Sequence, residues 1–245
     1  PVSRQSTAQL RSEACLAKVN NQLIRMLPRG ARQNLVAACH SCSLTLGEVL
    51  CEPGDATLYA YFPIDGFISL VKTIEHRPSL EVGMVGREGM VGVQVALGVS
   101  AAPLRAVVQG EGVALRISVE ALTAQLTGSP DLRRVLNRYV YVLMIQFATS
   151  AACLRHHKIS QRLARWLLMT QDRARADHFR VTQEFLAYML SVRRVGITAA
   201  AGMLQREGLI EYVRGDLRVL DRLGLEAAAC NCYASDQRDY AQTLG

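Results

Sequence analysis

No apolar run in this 245-residue chain approaches the ~20 residues that a membrane-spanning helix needs. Residues 1–20 alternate polar, charged and small side chains and hold no apolar core of a secretion signal. No GxSxG, Walker, HExxH or Rossmann fingerprint occurs, and the histidines lack HxxxH spacing. No paired carboxylates stand inside a Gly-rich turn. The chain is therefore expected to be soluble and cytoplasmic, with no contact to a membrane, and not an enzyme. The seven cysteines (Cys15, Cys39, Cys42, Cys51, Cys153, Cys230 and Cys232) are odd in number, and the chain is too long for a small disulfide scaffold.

What is present points elsewhere. Half the residues are hydrophobic, enough for a packed core. The length suits one domain of ~100–150 residues plus a smaller one. The net charge is +7, and residues 155–222 alone carry 13 basic against 7 acidic side chains, 12 of the 13 being Arg. Arg is the usual bidentate donor to phosphate and guanine, so a polyanion partner follows.

From Leu44 to Ile117 short strands alternate with turns. The strands are read at Leu44–Leu50, Leu58–Pro63, Phe67–Val71, Leu80–Val85, Ala106–Val108 and Val113–Ile117. The breaks fall at Glu52–Asp55, Ile64–Gly66 and His76-Arg77-Pro78. Spacing near ten residues with Gly/Pro punctuation predicts a small β-barrel or roll. The pattern then changes, because neither Gly nor Pro occurs from Asp131 to Val195. Leu132, Leu136, Tyr139, Leu143, Gln146, Ser150 and Cys153 recur at steps of four and three. That period suits a coiled-coil seam between two subunits, with Leu136, Tyr139, Leu143 and Gln146 as the interface. It equally suits a helix packed on its own roll. A polar basic hinge, Arg155–Lys158, leads to a second helix from Ile159 to about Asp172 with Leu163, Trp166, Leu167 and Thr170 on one face.

Val181–Leu220 carries the most information. Thr182 can cap a helix over Gln183–Leu190. Ser191-Val192 breaks it, and a second helix from about Arg193 to Glu207 buries Ile197, Ala200, Ala201 and Leu204 before Gly208 ends it. Leu209–Val213, the turn at Arg214-Gly215-Asp216 and Leu217–Leu220 make a hairpin. Together these form a winged helix-turn-helix. Its second helix would place Arg193, Arg194 and Thr198 against DNA base edges and phosphates, with Gly196 and Ala199 small enough for close approach. Thr182, Gln183, Ser191 and the wing-tip Arg214 complete the expected DNA-binding set.

Thr182-Gln183-Glu184-Phe185-Leu186-Ala187, Leu190-Ser191-Val192-Arg193-Arg194 and Leu204–Ile210 resemble the Crp/Fnr family of bacterial regulators. The order of parts across residues 25–225 also fits. The resemblance implies an α+β fold: a jelly-roll-like β-roll sensor domain, a long dimerisation helix and a C-terminal winged helix-turn-helix. It implies a homodimer on a two-fold symmetric operator of double-stranded DNA, contact with RNA polymerase, and a small-molecule effector. The expected division is a tail at 1–24, sensor at 25–130, dimerisation helix and hinge at 131–157, DNA-binding domain at 158–228 and a tail at 229–245.

The family's nucleotide-binding members use a Phe-Gly-Glu turn for the ribose and an Arg-Ser pair for the cyclic phosphate. Here the turn aligns with Val91-Gly92-Val93 and the pair with Ala102-Pro103, which leaves Gly92, Val93 and Arg105 as effector contacts and argues against cyclic AMP. The recognition helix keeps Arg194 but has Val195 and Ala199 where cyclic-AMP-binding relatives carry Glu and Arg, so a different operator is expected. The family's oxygen sensors hold an iron–sulfur cluster through cysteines. Cys39, Cys42 and Cys51, with Cys153 a distant fourth, leave open an alternative redox- or metal-responsive sensor. No cofactor or metal is assigned, although an iron–sulfur cluster or haem stays open. Cys230-Asn231-Cys232 alone does not complete a tetrahedral site, and His156 and His157 are read as solvated or phosphate-facing.

Overall fold

The structure, a computed structural model, describes residues 20–73 and 79–245. Most of the expected N-terminal tail and the break at His76-Arg77-Pro78 lie outside the described residues. The chain forms two compact units. Among the described residues, one holds those up to Ile68 with Val85–Tyr141, and the other holds those between Ser69 and Met84 with Val142–Thr243.

Two short helices, α1 (Gln22–Arg25) and α2 (Arg29–Ala37), lead into β1 (His40–Leu44), β2 (Val49–Cys51), β3 (Tyr59–Pro63), β4 (Phe67–Lys72) and β5 (Leu80–Val85). After a 3-10 turn at Val93–Leu97 come β6 (Arg105–Gly110), β7 (Gly112–Ser118) and α3 (Val119–Gly128). The strands form one sheet in the order β1-β7-β3 and another in the order β2-β6-β4-β5. Within the first sheet both pairings are antiparallel, with Arg116 opposite His40 on one side and Tyr61 on the other. Alternate residues Ala60, Phe62, Leu115 and Ile117 point into the core, as a half-buried antiparallel sheet requires.

Two expectations need correction here. Leu44–Leu50 is not one strand, because Gly47 at φ 80 turns the chain between β1 and β2. The folded part also begins before residue 25. Asn21 is fully buried and its side-chain amide donates to Pro63 O at 3.0 Å and Gly89 O at 2.8 Å, while its carbonyl caps α1 at Ile24 N.

Helix α4 (Pro130–His156) starts cleanly, with Pro130 in its first turn and Ser129 Oγ accepting from Leu132 N at 3.2 Å. Leu136, Tyr139 and Leu143 are all buried within their own chain. Tyr139 lies so close to Gly89 that a Cβ there would sit 2.1 Å from its hydroxyl. The expected subunit seam at Leu136, Tyr139 and Leu143 is therefore corrected, since those side chains are spent on intrachain packing. Gln146 is half-buried beside them. The large apolar side chains that α4 leaves exposed are Tyr141, at 56%, and Met144, at 63%.

In the second unit α5 (Ile159–Ala174) follows a two-residue break at His157-Lys158, where Gln161 Oε1 accepts from Lys158 N at 3.1 Å. Next come β8 (His178–Arg180), α6 (Gln183–Met189), α7 (Arg194–Arg206), β9 (Ile210–Val213), β10 (Asp216–Val219), α8 (Arg222–Ala228) and α9 (Cys232–Leu244). Residues 229–245, expected as a tail, mostly fold into α9. The helix is fastened by Arg165–Asp236 at 2.6 Å and by Tyr233, whose hydroxyl donates to Asp172 at 2.8 Å and accepts from Arg222 at 2.7 Å. Residues of Ser69–Met84 also make contacts within this unit. Trp166 Nε1 donates to Glu81 at 2.9 Å and Ser150 Oγ to Val82 O at 3.0 Å, and the ring of Phe147 fills the space beside Gly83.

Candidate nucleic-acid interface

Thr182 Oγ1 accepts from Phe185 N at 3.1 Å and starts α6 where its side chain indicates. Ser191, at φ 50, makes the sharp turn into α7. Arg162, which the sequence pattern does not single out, is buried and donates from Nη2 to Leu190 O, satisfying the carbonyl at that turn. Burial draws the Arg162 guanidinium below its usual value. Trp166 meets Phe185 edge-on with ring centroids 6.3 Å apart.

Arg193 is the N-cap of α7 and Arg194 its first residue, and both are exposed. Ile197, Ala200, Ala201 and Leu204 are buried on the inner face. The outer face presents Arg194, Val195, Thr198 and Ala199, with Val195 72% exposed. Thr198 Oγ1 donates to Gln183 Oε1 at 2.7 Å and lies 3.2 Å from Arg194 O, so the structure brings Gln183, Arg194 and Thr198 together. Gly196 packs toward Ile159, where a Cβ would be 2.9 Å from the terminal methyl, so its small size serves helix packing.

The wing is β8-β10-β9. Arg214 (φ 51) and Gly215 (φ 89) are both left-handed, which gives the two-residue turn that suits a twisted hairpin and puts Arg214 exposed at the tip. Strand β8 is absent from the sequence reading. It adds Arg180 and His178, which face Asp216 at 3.4 Å and 3.6 Å.

Of the expected effector contacts, Gly92 is buried, while Val93 and Arg105 are half-buried. Gly92 is buried at φ 90, and a Cβ there would lie 3.1 Å from Ala60 Cα. Arg105 pairs with Glu52 at 3.4 Å. Among the cysteines, Cys39, Cys42 and Cys51 are half-buried, and burial raises all three thiols, Cys39 to about 12. Cys51 points its thiol at Leu104 O, 3.6 Å away. Among the described residues the converging group is a different one, Cys153, His157, Cys230 and Cys232. Sequence spacing sets His157 aside and cannot join residues more than 70 positions apart.

Helix, turn, helix and hairpin with an Arg-bearing outer face define a winged helix-turn-helix DNA-binding domain. Residues 161–228 match the Crp-like helix-turn-helix domain family. The c-di-GMP-responsive global regulator CLP of Xanthomonas campestris is similar in fold, with a TM-score of 0.64, 19% identity, and 79% of this chain and 100% of that one covered. FixK2 of Bradyrhizobium japonicum gives a TM-score of 0.65 at 14% identity over 78% of this chain and 98% of that one. A CRP/FNR-family transcriptional regulator of Thermus thermophilus gives 0.63 at 21% identity over 78% and 98%. No curated protein sequence matches the chain. Residues 161–228 thus carry a Crp-like helix-turn-helix domain, and the chain shares the fold of these regulators. Among the described residues no helix is long and apolar enough to cross a membrane.

Proposed function

We propose that the chain is a cytoplasmic homodimer that lays α7 in the major groove of each half of a two-fold symmetric operator and recruits or blocks RNA polymerase there. The observation that carries this reading is the exposed face Arg194, Val195, Thr198 and Ala199. Arg194 reads guanine, Val195 and Ala199 offer methyl contacts to thymine, and Arg193, Thr182, Gln183, Ser191 and Arg214 hold the phosphates. No catalytic role is assigned. Cyclic AMP is not the effector, because Gly92 is closed against Ala60 and the nearby cation Arg105 already faces Glu52.

Selection from a random duplex pool followed by gel shift tests the reading. Arg194→Ala should weaken the selected operator by about 1–3 kcal/mol and relax one position. Arg214→Ala should weaken all sequences alike and flatten the salt dependence. Added cyclic AMP should leave the shift unchanged. Unaltered base preference in Arg194→Ala would overturn the placement of α7.

The dimer seam is proposed on the outer face of α4, where Tyr141 and Met144 are exposed. Met144→Glu should place an unpaired charge in that seam and give monomers in sedimentation while leaving the folded chain intact. A wild-type monomer at micromolar concentration would sink the seam.

A further inference from the structure

The residues left unexplained are Cys153, His157, Cys230 and Cys232. Their ligand atoms all lie within 4.8 Å of one another. Cys153 Sγ is 3.5 Å from Cys230 Sγ, and Cys232 Sγ is 3.6 Å from His157 Nδ1. The three sulfurs are buried and His157 is half-buried.

The local structure explains the convergence. Cys153 lies in the last turn of α4, and His157, just past its end, still donates its N–H to Cys153 O at 3.1 Å, so the two stand one helical turn apart on the same side. Cys230 and Cys232 flank Asn231, the N-cap of α9, and the tight spacing turns both thiols the same way. The ion pair Arg165–Asp236 holds α9 in place independently of the cysteines.

We propose that Cys153, His157, Cys230 and Cys232 form a closed tetrahedral site for a single zinc ion. With Zn–S near 2.3 Å and Zn–N near 2.0–2.1 Å, a tetrahedron has S···S edges of about 3.8 Å and S···N edges of about 3.6 Å. The two separations above are already close to those edges. An iron–sulfur cluster would put its own sulfides between the ligands and hold the thiolates further apart. Three thiolates and one imidazole leave no oxygen donor for magnesium or calcium. Four protein ligands leave no open position, so the ion is structural.

The charges suit it. Three thiolates and one divalent ion leave one net negative charge. Arg162 and Arg165 are the electrostatic neighbours of Cys153 and Cys230 and balance it. Binding is not a redox step: the thiol protons pass to solvent as the sulfurs coordinate, and no oxidant or reductant is needed. The bound ion would join the break at His157-Lys158 to the start of α9, and so fix the point at which the chain enters the DNA-binding domain.

Native mass spectrometry and elemental analysis of the full chain, purified without chelator under reducing conditions, test the site. The expected result is one zinc per chain. Cobalt(II) added to the stripped protein should give the visible absorption of a tetrahedral thiolate site in the wild type, so the test does not depend on any variant folding. Cys232→Ser and His157→Ala should each weaken zinc binding at least tenfold in competition with a chromophoric chelator, while Cys39→Ser should leave it unchanged. Protein carrying less than about a tenth of an equivalent of zinc and giving no cobalt spectrum would overturn the proposal. So would a Cys153–Cys230 disulfide in the reduced preparation, or bound iron with sulfide.

Discussion

Arg165→Ala should destabilise the second unit by about 3–5 kcal/mol, read from urea unfolding at pH 8. Arg165 and Asp236 approach to 2.6 Å with side chains only 11% and 12% exposed. The two partners do not tell the same story. Burial draws Arg165 down, but Asp236 beside it more than restores its charge, so it stands above its usual value. Asp236 also stands above its usual value, because burial outweighs the pull of Arg165. The carboxylate is the better guide to the net worth of the pair, because guanidinium stays charged in any case. The attraction falls short of repaying the desolvation of Asp236. The large expected loss thus comes from leaving Asp236 buried without its ion-pair partner, with only the bond from Thr149 and the charge of Arg173 beside it, not from the worth of the bridge. Two consequences separate these causes. Arg165→Met with Asp236→Leu should lose less than Arg165→Ala alone. The loss in Arg165→Ala should also shrink at pH 5, where the stranded carboxyl takes up a proton. A single-variant loss below about 1 kcal/mol, the range of an exposed pair, would show that the pair is solvated.

The second large effect is a pH dependence carried by Glu81. Its carboxyl is raised to about 7 by burial, against the opposing pull of Ser69, Arg173, Trp166 and Arg165. In the unfolded chain it titrates near 4.5. Between these values the folded chain keeps a proton that the unfolded chain has lost, so stability falls as pH rises and the loss is complete above about 7. The full shift corresponds to about 3 kcal/mol. Glu81 as a residue keeps some exposure although its carboxyl is enclosed, and this discounts the effect to about 2 kcal/mol. Glu81→Gln should flatten the dependence between pH 5 and 8 while preserving the hydrogen bond from Trp166. An unchanged slope in that variant would assign it to another group.

The helix-turn-helix was legible because its signals are local. The cap at Thr182, the small residues of α7 and Gly208 each act within a few positions. The 3.5-residue stripe of α4 suits a subunit seam, but Leu136, Tyr139 and Leu143 are buried within the chain. A 3.5-residue period marks a stripe but does not say what covers it. Leu136, Tyr139 and Leu143 turn inward, and Tyr141 and Met144 outward. Strand β8 escaped because three residues, His-Phe-Arg, are too few to show alternation. The Cys/His group escaped for a different reason. CxC and CxxxH are each weak alone, and only the docking of α9 on α5 through Asp236 and Tyr233 brings them together.

The contact between Thr198 and Gln183 has one more consequence. With the Gln183 carbonyl already held by the Thr198 hydroxyl, the side-chain NH2 is turned away from that bond before any DNA arrives. A long, flexible side chain at a phosphate contact ordinarily surrenders about 0.5–1.5 kcal/mol of rotational freedom when it is immobilised. If Gln183 holds a phosphate as proposed, that entropy is given up on folding, and the encounter with the duplex would not have to meet it. The same bond ties the first helix of the motif to the second, so on the proposed DNA contact a phosphate held by Gln183 would also set the register at which Arg194 meets the bases.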